Sequence, residues 1–172
     1  MALSTVTKSL NDGSLALEDG GTPTTLTVPV SVGDWSIDNL KAASAITSEQ
    51  NEVTAYETRG KFDTVRHSTR IYPSGSFTVH FRQWTSATAG EVIDFIRKQN
   101  GYSGNVSTLG SSADVYAIKI TLTVEGTTHG DDADSAIVMD DCHCSVAVSE
   151  GDPTTATISY VCYGAISTSG TS

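Results

Sequence analysis

Apolar and polar residues alternate along much of the chain, with the two-residue period that is typical of half-buried β-strands. The clearest run is 115–125, where the apolar face consists of Tyr116, Ile118, Ile120, Leu122 and Val124. Residues 136–148 follow the same period, which assigns to one face Val138, Cys142, Cys144, Val146 and Val148. Further strands are predicted at 14–18, 24–38, 52–61, 76–84 and 154–163, and runs of Gly, Pro, Asp and Ser separate the strands as turns.

A helical period is clear in residues 88–101. Thr88 can cap the first turn, with Glu91 reaching back to the N–H of Thr88. Gly101 predicts a left-handed end to the helix. The apolar face of this segment consists of Val92, Ile93, Phe95 and Ile96. We therefore expect a short helix that covers a sheet with this face.

About seven strands and one short α-helix predict a mainly β fold of the α+β class, namely a β-sandwich or split barrel with the helix packed against it. A chain of 172 residues suits one domain with its own core. We divide the chain into an N-terminal arm at 1–13, a β domain at 14–166 and a flexible C-terminal tail at 167–172.

Residues 39–51 show no period and predict a long connecting loop. Its polar positions include Asn39, Lys41, Ser44, Thr47, Glu49 and Asn51. Two interpretations remain open for this loop. It is either a flexible surface segment or a segment that packs against a neighbouring molecule.

The chain has 20 acidic and 10 basic residues and a formal net charge of −10, which opposes binding to nucleic acid through phosphate neutralisation. Its basic segment consists of Arg59, Lys61, Arg66, His67 and Arg70. In an otherwise acidic chain, such a segment favours a contact between subunits. No apolar run reaches the length of a membrane span, and the first residues lack the pattern of a secretory signal, so we expect neither a membrane anchor nor export by such a signal.

Three cysteines and a histidine come closest to a metal-ligand pattern, namely Cys142, His143, Cys144 and Cys162. On a strand, however, His143 points away from the face of its neighbours. A turn centred near Gly151 would place Cys162 opposite Asp140 and diagonal to Cys142 on that face. We therefore interpret the thiols as buried apolar side chains and expect no metal and no cofactor. The odd number of cysteines favours a reducing cytoplasm as the place of synthesis.

The sequence also lacks the pattern of a nucleophilic active site. No Gly-x-Ser-x-Gly motif is present, and the histidines lie in different segments, at His67, His80, His129 and His143. We therefore expect no enzyme activity. A hydrolase would require a pocket that joins His80 or His143 to an acid.

Three segments together resemble the tail tube (major tail) proteins of long-tailed bacteriophages. The first is TAYETRGKFDTVRH followed by YPSGSFTVHFRQWTS, and the second is EVIDFIRKQNGYSG. The third is DVYAIKITLTVEG followed by IVMDDCHCSVAVSEGDPTTATISYVCYGAI. The resemblance spans about 14–166 in the same order of elements.

The resemblance implies a structural virion protein without enzyme activity, made in the host cytoplasm and built into the virion tail. Proteins of that family self-assemble into hexameric rings, which stack into a tube through which DNA is ejected without specific binding. The implied partners are further copies of the chain, a tape-measure protein and a tail terminator protein. Related tubes occur in contractile tails, gene transfer agents and type VI secretion systems.

A tube lining must be polar and must not hold DNA, which draws attention to the polar face of 115–125 and 136–148. The candidate lumen-facing residues are Lys119, Thr121, Thr123, Glu125, Asp141, His143 and Ser145. The acidic balance of the chain would repel phosphates from such a lining. The loop 39–51 is then the candidate contact to the next ring. An alternative from another class is a monomeric immunoglobulin-like binding or adhesion domain of a virion or cell surface.

Overall fold

The computed structural model describes residues 13–22, 24–28, 34–42, 50–80, 92–124 and 134–171. Within these ranges the elements are β1 (Ser14–Glu18), β2 (Thr25–Val28), β3 (Trp35–Asp38), β4 (Asn51–Thr58), β5 (Lys61–Arg70), β6 (Ser74–His80), α1 (Val92–Arg97), β7 (Ile118–Val124), β8 (Asp134–Ser149), β9 (Thr155–Cys162) and β10 (Ile166–Thr171). The predicted mainly β fold with one short helix is confirmed. The described ranges contain ten strands rather than about seven, because the alternating stretch 24–38 holds two strands, β2 and β3, and because β5 and β10 were not predicted.

Eight of the strands form one open antiparallel sheet in a sandwich-like arrangement, with the order β2-β1-β7-β8-β9-β6-β3 and with β10 on β8. The 16-residue strand β8 connects the two halves of this sheet. Its first half pairs with β7 and β10, and its second half pairs with β9. A single core is formed by buried residues from both halves, including Leu15, Leu17, Phe77, Ile120, Met139, Ile158 and Tyr160.

A β-bulge divides β8 at Asp140 and Asp141. The register of β7 changes there, since Ile118 pairs with Cys142 whereas Ile120 pairs with Met139. Asp141 has a φ of 52°, in the left-handed region. The extra residue reverses the alternation of faces, because side chains alternate with a strict period of two.

The bulge corrects the predicted apolar face of 136–148. Met139 is fully buried, whereas Val138 pairs with Thr121 on the opposite face. Strict alternation had assigned Val138 to the face of Cys142, and that assignment is wrong. The apolar face therefore runs through odd-numbered positions before the bulge and even-numbered positions after it.

Helix α1 is shorter than the predicted 88–101, of which 88–91 lie outside the described residues. It ends at Arg97, and Lys98 rather than Gly101 takes the left-handed conformation, with a φ of 51°. The N–H of Gln99 donates to the carbonyl of Asp94 at 2.9 Å, which is the bond of a Schellman motif. The Lys98 ammonium lies 5.4 Å from the ring centroid of Tyr116, a contact that favours this conformation.

The apolar face of α1 meets the core. Val92 and Phe95 are buried, and Ile93 and Ile96 pack against the buried cluster. The ring of Phe95 also meets that of Tyr102 edge-on, with 5.1 Å between centroids. The helix thus covers one end of the sheet.

The structure describes the C-terminal strand of the chain but not its first twelve residues. Residues 1–12 of the predicted N-terminal arm lie outside the described residues. The predicted C-terminal tail, 167–172, is not a free tail, because strand β10 (Ile166–Thr171) pairs with the first half of β8. Its Ser, Thr and Gly residues carry no apolar alternation, so the pairing rests on backbone hydrogen bonds and left no signal in the sequence pattern.

Candidate assembly surfaces

Strands β4 and β5 form a hairpin that stands apart from the main sheet. They pair with each other in a two-stranded sheet and with no other described strand. The connecting residues Arg59 and Gly60 have φ values of 53° and 74°, as a tight primed hairpin turn requires. Both strands are exposed almost throughout. An isolated two-stranded hairpin is only marginally stable in water, so further contacts to this one would stabilise it.

The hairpin carries apolar side chains on one of its faces. A register shift after Tyr56 leaves Asp63 without a partner residue and places Phe62 opposite Glu57. Because paired residues share a face, this face presents an apolar stripe made of Val53, Ala55, Phe62 and Val65. Val53, Phe62 and Val65 are 58%, 67% and 47% exposed. Exposed apolar surface of this kind marks an interaction site.

The hairpin also differs in charge from the rest of the chain. It holds four basic residues (Arg59, Lys61, Arg66 and Arg70) and three acidic ones (Glu52, Glu57 and Asp63). The remaining residues therefore comprise six basic and seventeen acidic ones. Lys61 pairs with Thr58 and Arg66 with Thr54, so these two basic residues of the predicted basic segment lie on the face opposite the apolar stripe. The charge of the hairpin complements that of the body of the chain.

A second surface is the polar face of the half-sheet β8-β9-β6-β3. Serines lie side by side across its four strands, since Ser145 pairs with Ser159, Ser159 with Ser76, and Ser76 with Ser36. In the neighbouring row, the hydroxyls of Thr78 and Thr157 lie 3.4 Å apart. We call this surface, consisting of Ser36, Ser76, Thr78, Ser145, Thr157 and Ser159, the hydroxyl face.

The candidate lumen-facing residues fall on both sides of the bulge. Lys119, Thr121 and Thr123 lie half-buried on β7, on the side opposite its buried residues. The Lys119 ammonium lies 2.6 Å from a carboxylate oxygen of Glu18.

The other lumen-facing candidates lie further along β8 or outside the description. Asp141 lies in the bulge itself, whereas His143 and Ser145 are exposed on the half-sheet of the hydroxyl face. Glu125 lies outside the described residues. The structure thus brings His143 and Ser145 together on one half-sheet and Lys119, Thr121 and Thr123 on the other.

The candidate inter-ring loop is described only at its ends. Asn39 is exposed with a φ of 60°, and the N–H of Lys41 donates to the side chain of Gln50 at 2.9 Å. Asn51 is the first residue of β4, so the loop leads directly into the hairpin. The remaining candidates, Ser44, Thr47 and Glu49, lie outside the described residues.

A shallow groove of about 430 Å³ on the hydroxyl face contains the histidine and acid that a hydrolase would need. Its lining includes Asp38, Ser145 and His143. The register runs from His143 through Val161 and Ser74 to Asp38, so the histidine and the acid are three strands apart. Three strand spacings amount to roughly 14 Å, which is far beyond hydrogen-bond reach. His80, at the end of β6, is exposed and does not line this groove.

The cysteines lie on the core side of the same half-sheet. Cys142 and Cys162 are buried, and burial raises the pKa of the half-buried Cys144 to about 12. His143 is exposed on the opposite face. Among the described residues, no group of three or more His, Cys, Asp or Glu side chains is placed to hold a metal ion. No helix in the described ranges is long and apolar enough to cross a membrane.

The register of β8 and β9 corrects the predicted position of Cys162. It pairs directly with Cys142 and not with Asp140. The pairing of Ser149 with Thr155 centres the turn on Asp152, one residue later than the predicted Gly151. Moving the turn centre by one residue shifts the pairing between β8 and β9 by two residues. Cys162 therefore stays on the predicted face of the sheet but has a different partner residue.

The fold resembles components of solved tail-like particles. A chain of the structure described as an extracellular contractile injection system, PVC sheath/tube terminator in extended state, superposes with a TM-score of 0.57 at 8% identity, over 98% of this chain and 97% of that one. A chain of the anti-feeding prophage cap (AFP tube terminating cap) superposes with a TM-score of 0.57 at 8% identity, over 99% and 95%. A chain of the PVC sheath-tube complex gives 0.52 at 8% identity, over 91% and 88%. No protein-family model and no curated protein matches the sequence.

Proposed function

We propose that this chain is a structural subunit of a phage tail or tail-like particle, which self-assembles into stacked hexameric rings that form a tube. The observation that carries the proposal is the β4–β5 hairpin, whose apolar stripe and basic residues lie exposed on an otherwise acidic chain. The shared fold with chains of sheath-tube and tube-terminator structures supports a tube rather than another kind of assembly.

The occupant that fits the hairpin best is a second copy of the chain. The apolar stripe gains stability when a neighbour removes Val53, Phe62 and Val65 from water, at about 25 cal/mol per Å² of apolar surface buried. The basic residues Lys61 and Arg66 lie on the other face of the hairpin and attract the acidic body of a neighbour. Because each copy has both surfaces, the contact is heterologous and closes into a ring when the rotation between neighbours allows it.

The polar faces of the sheet suit a channel through which DNA passes without being held. The hydroxyl face offers neutral donors and acceptors, and the acidic balance of the chain repels phosphates. Either this face or the face of Lys119, Thr121 and Thr123 lines the channel in our proposal. The loop 39–51 contacts the next ring, and a terminator protein and a tape-measure protein bind at the end and inside of the tube.

Electron microscopy and sedimentation velocity of the purified chain over a range of concentrations test this proposal. We expect rings or tubes for the wild type and a large loss of assembly for Phe62→Asp, because a charge in the stripe is costly to bury. Leu109→Asp is the matched control, since Leu109 is 47% exposed but lies outside the hairpin. This control variant should assemble like the wild type, and both variants should unfold at the wild-type temperature.

The competing function, a monomeric immunoglobulin-like binding domain, makes the opposite prediction. A wild-type chain that stays monomeric at the highest concentration would refute assembly through the hairpin. If Phe62→Asp and Leu109→Asp reduced assembly equally, the hairpin would not be the contact between subunits.

A further inference from the structure

Cys142 and Cys162 face each other across two antiparallel strands at the point where β8 bulges. They are direct partners in the register of β8 and β9. The N–H of Cys162 donates to the carbonyl of Pro73 at 2.8 Å, on the side away from β8, so the two cysteines form a non-hydrogen-bonded pair. In such pairs the Cα atoms are about 4.5 Å apart, which lies within the range of disulfides.

The third cysteine lacks this placement. Cys144 pairs with Tyr160, not with another thiol. It lies two residues from Cys142 on the same strand, and at about 3.3 Å per residue their Cα atoms are ~6.6 Å apart, near the upper limit for a disulfide. Their Cβ atoms point in the same direction rather than towards each other. The geometry therefore selects one of the three possible pairings.

The two thiols share a polar environment beside a surface cavity. The thiol of Cys162 donates to the carbonyl of Asp140 at 3.1 Å, and that of Cys142 lies 3.6 Å from the carbonyl of Met139. Cys162 also borders a cavity of about 400 Å³, whose lining includes Tyr72, Tyr163, Gly164 and Ile166. Because Cys162 is only 1% exposed, this cavity marks the side from which a small reagent reaches the pair when the local packing opens.

The surroundings of the two thiols act on their pKa values in opposite directions. Hydrogen bonding from Cys142 lowers the pKa of Cys162, and the same bond, together with burial, raises the pKa of Cys142. Cys162 is also the thiol that borders the cavity, so a reagent from that side meets it first. This order matches the roles of an attacking thiol and a resolving thiol in disulfide exchange.

We propose that Cys142 and Cys162 form a redox site, which a low-molecular-weight disulfide converts into an intramolecular disulfide linking β8 to β9. The Cys162 thiolate attacks one sulfur of the reagent, forms a mixed disulfide and releases one thiolate. Cys142 then loses its proton and attacks the sulfur of Cys162, which releases the second thiolate. Both protons from the cysteines end on the released thiolates, so the two cysteines are oxidised and the reagent is reduced to two thiols.

The purified full-length chain, treated with oxidised glutathione and then denatured and alkylated, provides the test. We expect the free thiols to fall from three to one and peptide mapping to find a Cys142–Cys162 bond. The oxidised chain should unfold at a higher temperature, and dithiothreitol should reverse the shift, because the link constrains the unfolded chain. Three free thiols after prolonged treatment, or a mapped bond to Cys144, would overturn the proposal.

Single substitutions separate the pair from the third cysteine. Cys144→Ser should still lose two thiols, whereas Cys142→Ser and Cys162→Ser should stop at a mixed disulfide or remain reduced. Since a substitution in the core can impair folding, alkylation of the folded wild type gives a second measurement. Iodoacetamide should label Cys162 before Cys142, and the reverse order would contradict the assigned roles. None of these readouts depends on assembly, so the redox site and the proposed tube are tested independently.

Discussion

At the scale of single residues, side-chain placement follows the sequence period until the backbone departs from regular geometry. Ile118, Ile120 and Leu122 are buried on one face, as strict alternation predicts. The period fails at Asp140 and Asp141, because the extra residue in β8 shifts the alternation of faces by one residue. Aspartate tolerates the left-handed region better than most residues, so the Asp-Asp pair is a local signal that could have located the bulge.

Phe95→Ala should destabilise the folded chain by about 3–5 kcal/mol, because it opens a cavity where no solvent reaches. Phe95 is 0% exposed and packs against Tyr102 and the core. Urea unfolding followed by circular dichroism measures this change in the free energy of unfolding. Phe62→Ala is the matched control, and its free energy of unfolding should stay within about 0.5 kcal/mol of the wild type. A similar decrease in the free energy of unfolding for both variants would contradict the packing role of the helix.

At the scale of elements, the period predicted strands and a helix but not what covers them. The strand character of 52–61 was visible in the sequence, but the structure divides this stretch at Arg59 and Gly60, where the hairpin turns. That both faces of the hairpin are exposed was not visible, because exposure depends on the absence of packing from distant segments. Strand β10 was missed for a related reason, since Ser and Thr residues that pair only through the backbone resemble a solvated tail.

Removal of residues 166–172, which include the whole of β10, should loosen the first half of β8 and spare the second half. Without β10, the residues Asp134–Met139 lose the partner on one edge, and their amides exposed on that edge become free to exchange. We expect hydrogen exchange there to be about tenfold faster or more, equivalent to ~1.4 kcal/mol of local stability. Amides of Val146–Val148, which pair with β9, are the internal control. Unchanged exchange in Asp134–Met139 would show that β10 behaves as the predicted tail.

At the scale of the whole molecule, the sequence predicted the fold class. Only the structure shows that the surplus of basic residues lies on a separate hairpin and the surplus of acidic residues on the rest of the chain. A chain with a net charge of −10 repels its copies at long range. The hairpin, with a surplus of basic residues, offsets this repulsion locally if it docks on a neighbour. Assembly therefore depends on where the positive charges lie and not only on how many there are.

Arg66→Glu should impair assembly far more than Arg97→Glu, although both substitutions change the net charge equally. Arg66 lies exposed on the hairpin, whereas Arg97 lies exposed at the end of α1 on the body. Sedimentation velocity at several salt concentrations measures the difference. Raising the ionic strength from 0.01 to 0.15 M shortens the screening length from about 30 to ~8 Å, so salt should rescue Arg97→Glu by weakening long-range repulsion. Arg66→Glu should be rescued much less, because it reverses a charge on the hairpin itself, which is the proposed docking element. Equal impairment with equal rescue would mean that net charge alone governs assembly, and the hairpin would lose its role as the docking element.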